Sequence, residues 1–214
     1  IMKKTLHSML FTMAAGFFVF CGSAATAQDP AESALEPVRA AMEQQDYRRA
    51  AREASQLARR SGNSVVAEQA RQLSISANLA LRNAGHKVSA RCHAFLDKHA
   101  GRLLILTDED TYYRSFELKC GADFTVPSGE FQVGAKLGYP NLELNGVLYK
   151  RGAAGNTLGS RWIDLRTPEG SPVTGLHGEA PLAPDEEQLF FRLKNSDINE
   201  IFLLLSEGSR VSIK

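Results

Sequence analysis

The chain has 214 residues, 43% hydrophobic and 23% charged, with 25 Lys and Arg against 24 Asp and Glu and a formal net charge of +1. That is ordinary globular usage, long enough for one domain and a smaller appendage, and it excludes a wholly disordered chain. The near-neutral balance gives no electrostatic reason for nucleic acid or an anionic membrane as partner.

Lys3 and Lys4 precede an apolar run from Met9 to Phe20, and small residues follow up to Ala25-Thr26-Ala27. This is the charged, apolar and A-x-A order of a secretory signal peptide, so residues 1–27 are expected to leave by cleavage after Ala27. Cys21 offers a lipid anchor as the alternative, against which stands the bulky Phe20 just before it. The run is shorter than the about 20 apolar residues of a bilayer span, and no later stretch is long and uncharged enough. An exported chain that does not span the membrane is expected, in the periplasm or cell envelope. Its formal charge is −1, because two lysines go with the leader and no acid does.

An Ala-rich segment nearly free of Gly and Pro follows and reads as about three helices over residues 28–85. Pro37 fits only a first turn, so the first helix is expected to begin near Glu36, with Val38, Ala41 and Met42 on one face and Gln45-Asp46 at its end. The second, about Tyr47 to Arg60, carries Tyr47, Ala50, Ala51, Ala54, Leu57 and Ala58 at helical spacing, and Ser61-Gly62-Asn63 stops it. The third starts near Ser64, with Val66, Ala70, Leu73, Ala77 and Leu81 as its buried stripe. The run Gln44 to Ala50 resembles the turn of a tetratricopeptide-type hairpin, but only about one and a half repeats of roughly 34 residues are present. Such a hairpin docks on the main domain or on a dimer mate; a peptide-binding groove is the other reading.

Residues 86–214 change to strand patterns. Lys98-His99-Ala100-Gly101 is expected to turn between strands Cys92–Asp97 and Arg102–Thr107, and Tyr113 to Cys120 alternates with Phe116, Leu118 and Cys120 on one face. Asn145-Gly146 is a two-residue hairpin signal between Leu142–Leu144 and Val147–Lys150. Further strands are expected at Glu130–Val133, Trp162–Leu165 and Arg210–Ile213. Asp197 to Ser206 reads as a short helix with Ser196 as N-cap and Gly208 past its end. The fold class is α+β: N-terminal helices, then a mostly antiparallel β domain.

Four segments in order resemble the L,D-transpeptidase (YkuD-like) family. They are the strand, turn and strand from Cys92 to Gly121, then Val126-Pro127-Ser128-Gly129-Glu130-Phe131, then Gly155 to Trp162 with its Asn156-Thr157-Leu158-Gly159-Ser160-Arg161-Trp162, and last Gly175 to Lys214. In the last, Gly175-Leu176-His177-Gly178 precedes Arg192-Leu193-Lys194-Asn195-Ser196-Asp197. The resemblance implies peptidoglycan chemistry: a cysteine attacks a stem peptide and passes its acyl group to an amine, with a histidine as base. The family pattern Ser-x-Gly-Cys-(apolar)-Arg-(apolar)-x-Asn-x-Asp, set in register by Arg192, Asn195 and Asp197, puts Phe190 in the nucleophile's place and Leu189 where glycine should stand. A benzyl group supplies no nucleophile, and His177 alone performs no acyl transfer. The loop from His177 to Phe190, 13 positions long, holds Pro181, Pro184 and the acidic Asp185-Glu186-Glu187, with no glycine to let backbone N–H groups converge on an oxyanion.

The expected function is therefore binding or regulation at stem peptides or at a cell-wall protein. His177, Gly178, Arg161, Trp162, Arg192 and Asn195 are its candidate residues, and His177 and Phe190 are the remnant base and the replaced nucleophile. His177 also has a purely structural reading, and Arg161 and Arg192 either grip a carboxylate or pair with Asp164, Asp197 or Glu187. An active transpeptidase using Cys92 or Cys120 is the alternative, and a scaffold built on the helices is a third reading. The two cysteines are core thiols or, in an exported protein, a disulfide that a simple meander would hold too far apart. No cofactor is implied, and His86, His93, His99 and His177 lack metal-ligand spacing.

Overall fold

The computed structural model describes residues 30–88, 91–121, 125–144, 146–153, 155–180 and 190–214. The expected signal peptide with its cleavage site, Asn145, and the Pro181 to Leu189 part of the loop lie outside the described residues. Three helices come first: α1 (Pro30–Glu43), α2 (Tyr47–Arg60) and α3 (Ser64–Asn83). The caps are those their sequences invite. Asp46 accepts from the Arg49 N–H at 3.2 Å, and Asn63 Oδ1 accepts from Val65 and Val66 at the start of α3.

Alanine explains how the helices meet. Ala41, Ala50, Ala54 and Ala77 are wholly buried and pack with Val38, and side chains that end at Cβ let the backbones approach closely. The Ala-rich faces are therefore spent within the chain. α1 begins at Pro30, a turn and a half before the expected Glu36, so Pro37 lies inside it. The missing N–H costs one helical bond, and the burial of Leu35 and Val38 against α2 and α3 outweighs it.

The strands are β1 (Cys92–Asp97), β2 (Arg102–Thr107), β3 (Tyr112–Glu117), β4 (Gly129–Gly138), β5 (Leu142–Leu144), β6 (Val147–Tyr149), β7 (Leu158–Arg166), β8 (Pro172–Glu179), β9 (Phe191–Leu193) and β10 (Arg210–Ile213). Between the last two lies α4 (Asn195–Leu204). β5 and β6 form a separate hairpin; the others make one sheet in the order β3-β2-β1-β10-β4-β7-β8-β9. Only β1 with β10 and β8 with β9 run parallel, so the architecture is α+β with a mostly antiparallel sheet. Beyond β3 the chain reaches across to the far strand: Lys119 and Arg192 exchange two backbone hydrogen bonds of 2.9 and 2.8 Å. The sheet is thereby curled toward closure around an interior of Leu96, Leu103, Ile105, Ile163, Leu165, Leu176 and Phe191, to which α4 adds Ile198 and Ile201.

β2 is apolar from Leu103 to Leu106 because both its faces are covered there. Leu103 and Ile105 point to the interior, and Leu104 and Leu106 lie under the helices with Leu35, Val66, Ala70 and Tyr112. Polar groups complete that contact. The Ser55 and Ser74 hydroxyls are 2.7 Å apart, Ser55 Oγ accepts from the Tyr112 N–H, and Asn78 Nδ2 donates to the Tyr112 carbonyl at 2.9 Å. β3 is the terminal strand of the sheet, so α2 and α3 supply partners that a neighbouring strand would otherwise give.

Two sequence readings at α4 shift. Its N-cap is Lys194, with no side-chain cap bond, and not Ser196, which lies in the first turn and donates to Asp197 Oδ1 at 2.8 Å. The helix starts early because the Asn195 side chain is drawn into the sheet. At the other end Lys136 Nζ donates to the Phe202 and Leu205 carbonyls, closing the unsatisfied end of α4 and fixing it on β4.

Candidate functional site

The outward faces of β7, β8 and β9 carry the candidate residues. Because Ile163, Leu165, Leu176 and Phe191 turn inward, alternation turns Trp162, His177, Phe190 and Arg192 outward. Trp162 and His177 are cross-strand partners, and His177 and Arg192 are partners in the parallel pair. The sequence reading did not identify β8 or β9 as strands, yet these two bring His177 beside Phe190.

The three rings form a cluster. Trp162 and His177 stack with centroids 6.5 Å apart, and the Phe190 ring stands edge-on to both, 4.7 Å from Trp162 and 6.2 Å from His177. Gly175 makes room for it, since a Cβ there would lie 2.3 Å from the indole. An aromatic group thus occupies the place beside the histidine where the sequence register expected a thiol.

His177 is 3% exposed and its Nδ1 lies 2.7 Å from the Gly178 carbonyl, which makes Nδ1 the protonated nitrogen of a neutral ring. Burial pushes its pKa down to about 4; the Gly178 carbonyl works the other way, and the Arg192 guanidinium adds to the depression. Between the unfolded value of 6.5 and the folded value of about 4, only the unfolded chain takes up the proton. The contribution of His177 to stability should therefore fall as pH drops through that window, by ~3 kcal/mol in all, and be complete below it. Denaturant titrations at pH 7, 5 and 4 should show this loss in the natural chain and a much flatter profile in His177→Gln. Equal slopes for the two would place the titration elsewhere.

Asn195 and Gly178 serve the frame. Asn195 Oδ1 accepts from the Ser160 N–H at 2.9 Å and its Nδ2 donates to the Glu179 carbonyl at 2.7 Å, so one side chain ties β7 to β8 where their register shifts. A Cβ on Gly178 would come within 2.2 Å of that Oδ1, and one on Gly159 within 2.4 Å.

Arg161 lies at a different edge from Arg192. Its guanidinium sits over Tyr139 and Phe202, 5.4 and 5.0 Å from the ring centroids, and donates to the Ser160 carbonyl. Arg192 is buried, at 6% exposure. Of the acids considered as their partners, Asp164 is taken by Arg166 at 2.5 Å and Asp197 by Ser196, while Glu187 is outside the described residues.

Cys92 and Cys120 are not joined in a disulfide. Cys92 pairs with Thr107 at the open end of the β1–β2 hairpin, whereas Leu118, two residues before Cys120, bonds Gly101 at the turn. Both thiols pack against the interior cluster, on the other side of the sheet from His177. Among the described residues no group of three or more His, Cys, Asp or Glu could hold a metal ion, and no helix is long and apolar enough to cross a membrane.

No family model and no curated protein matches the chain. Among solved structures it is similar to an L,D-transpeptidase from Enterococcus faecium, at 16% identity and a TM-score of 0.44, over 60% of this chain and 52% of that one. L,D-transpeptidase 1 of Mycobacterium tuberculosis gives 11% and 0.43, covering 57% of this chain and 60% of that one. An L,D-transpeptidase from Xylanimonas cellulosilytica gives 16% and 0.41, covering 64% and 68%. The chain spans about half the length of the first of these. The likeness is one of fold, and no residue's role is carried across from it.

Proposed function

We propose that residues 86–214 form an L,D-transpeptidase-like domain that has lost acyl transfer and works at the cell wall by binding stem peptides or a wall protein, in a chain exported through residues 1–27. The observation that carries this reading is the Phe190 ring, packed on Trp162 beside a buried, neutral His177. Acyl transfer needs a thiolate within reach of a base, and a benzyl group there both lacks the nucleophile and fills the space next to the imidazole. The ordered sequence segments that resemble the family, and an architecture of helices followed by a curled sheet, support the class.

The transpeptidase alternative requires Cys92 or Cys120 to reach His177. Their packing against the interior, with the sheet between them and the imidazole, speaks against it.

Incubating the mature chain with stem tetrapeptide and an amine acceptor should give no cross-linked product, and Phe190→Cys should give none either. Neither protein has the glycine turn whose backbone donors would face the oxyanion. Robust turnover by Phe190→Cys, or natural turnover abolished by thiol alkylation, would sink the reading. Retention on isolated sacculi should be seen for the natural chain and be weakened by Trp162→Ala, and indifference to the wall in both proteins would favour the scaffold reading.

A further inference from the structure

A concave site lies away from His177, where α2, β1, β2, β3 and β10 meet. It is a cleft of about 280 Å³ lined by Arg59, His93, Phe95, Leu106, Tyr112 and Arg210, with Asp110 and Ser212 at its rim. One wall is apolar: Phe95, Leu106 and the Tyr112 ring belong to the cluster beneath the helices. The other wall is charged and built from four elements. Arg210 Nη2 lies 3.1 Å from His93 Nε2 and 3.4 Å from Asp110 Oδ1, which itself lies 3.0 Å from His93 Nε2. Arg59 donates to the Asp110 carbonyl at 2.6 Å, so one main-chain oxygen holds its guanidinium at the mouth. Glu130, also near, is engaged by the Ser212 hydroxyl at 2.7 Å.

We propose that this cleft binds a small amphiphilic carboxylate, its apolar body against Phe95, Leu106 and Tyr112 and its carboxylate gripped by Arg59 and Arg210. Each guanidinium has five N–H donors, and the bonds described use one or two of them, so a planar acceptor can be held by both. The two acids do not forbid an anion, because each already has its own donor. The volume is just under the roughly 300–1,000 Å³ of drug-sized pockets, which suits a single ring with a short acidic arm. The Tyr112 hydroxyl adds a neutral donor; burial raises its pKa, and the nearby Arg59 and Arg71 pull the other way. Nothing in the proposed wall-binding role uses these residues.

The test is calorimetric titration of the full mature chain with phenylacetate, with N-acetylphenylalanine and with phenylacetamide. Phenylacetate stands for a free organic acid and N-acetylphenylalanine for a peptide carboxyl terminus; whichever binds more tightly identifies the source. Saturable binding of at least one acid at millimolar or lower concentration, absent for the amide, is expected. Arg59→Gln and Arg210→Gln should each weaken it roughly tenfold, as loss of a charge-assisted bond does. Asp110→Asn should tighten it by removing a competing carboxylate; Asp110 has φ 56°, a conformation that asparagine adopts readily. Arg59 and Arg210 are exposed, so both Gln variants should fold, and unchanged melting curves verify that. Failure of both acids to bind, equal binding of the amide, or affinity indifferent to both arginines would overturn the proposal.

Discussion

Removal of the three N-terminal helices is expected to leave a β domain that aggregates or unfolds. The helices cover Leu104, Leu106 and Tyr112, whose exposures are only 4, 7 and 7%, and their deletion would turn these side chains to water. At ~1.5–3 kcal/mol for each large apolar side chain, that loss is roughly 5–9 kcal/mol, comparable with the whole stability of many domains. It would also bare the Tyr112 N–H and C=O now bonded to Ser55, Ser74 and Asn78, opening a terminal strand to pairing with other chains. Size-exclusion chromatography and circular dichroism of the truncated chain provide the measurement. A folded monomer would mean that the helical segment is a separable appendage. The single change Asn78→Ala probes the same contact more gently and should cost about 2 kcal/mol, since it strips two hydrogen bonds from a 2%-exposed site.

Gly159→Ala should destabilise the chain by about 3 kcal/mol or more, the upper end for overpacking in a closed site. Its Cβ would meet the Gly178 carbonyl carbon at 2.5 Å and the Glu179 oxygen at 2.6 Å as well as the Asn195 amide. Backbone cannot rotate aside as a flexible side chain does, so β7, β8 and the start of α4 would have to separate. Gly62→Ala is the control: its Cβ would meet nothing within 4 Å, and the change should be neutral or slightly stabilising. Thermal melting of the two variants decides it, and similar midpoints would show that the three-way junction yields more easily than its geometry implies. The same junction bears on the proposed site, because α4 and β8 hold His177 in place.

Much of this fold is legible residue by residue. α2 spans Tyr47–Arg60 as its spacing predicts, the β1–β2 hairpin turns at Gly101 with φ 60°, and Gly146 takes φ 76° between β5 and β6. Such features depend on neighbours a few positions away, and local chemistry is enough for them. β8 is the opposite case. Pro172, Gly175 and Gly178 have poor strand propensity, and the two glycines are there because Trp162 lies on one and Asn195 on the other. Those partners sit 13 and 17 residues away from their glycines, beyond the reach of periodicity.

The sequence by itself determined the class of the fold, the order of helices before strands, and the phenylalanine at position 190 in the register set by Arg192, Asn195 and Asp197. Alternation and capping act over a few residues, and a motif register is read from spacing alone. Only the tertiary structure decided that Phe190 closes on Trp162 and His177, that Asn195 braces two strands, and that both cysteines face away from the imidazole. It likewise decided that helix residues 34 to 57 positions upstream in the chain cover the edge of β3. The physical reason is that a side chain's surroundings come from strands paired across the sheet, and their register is settled by packing at long range.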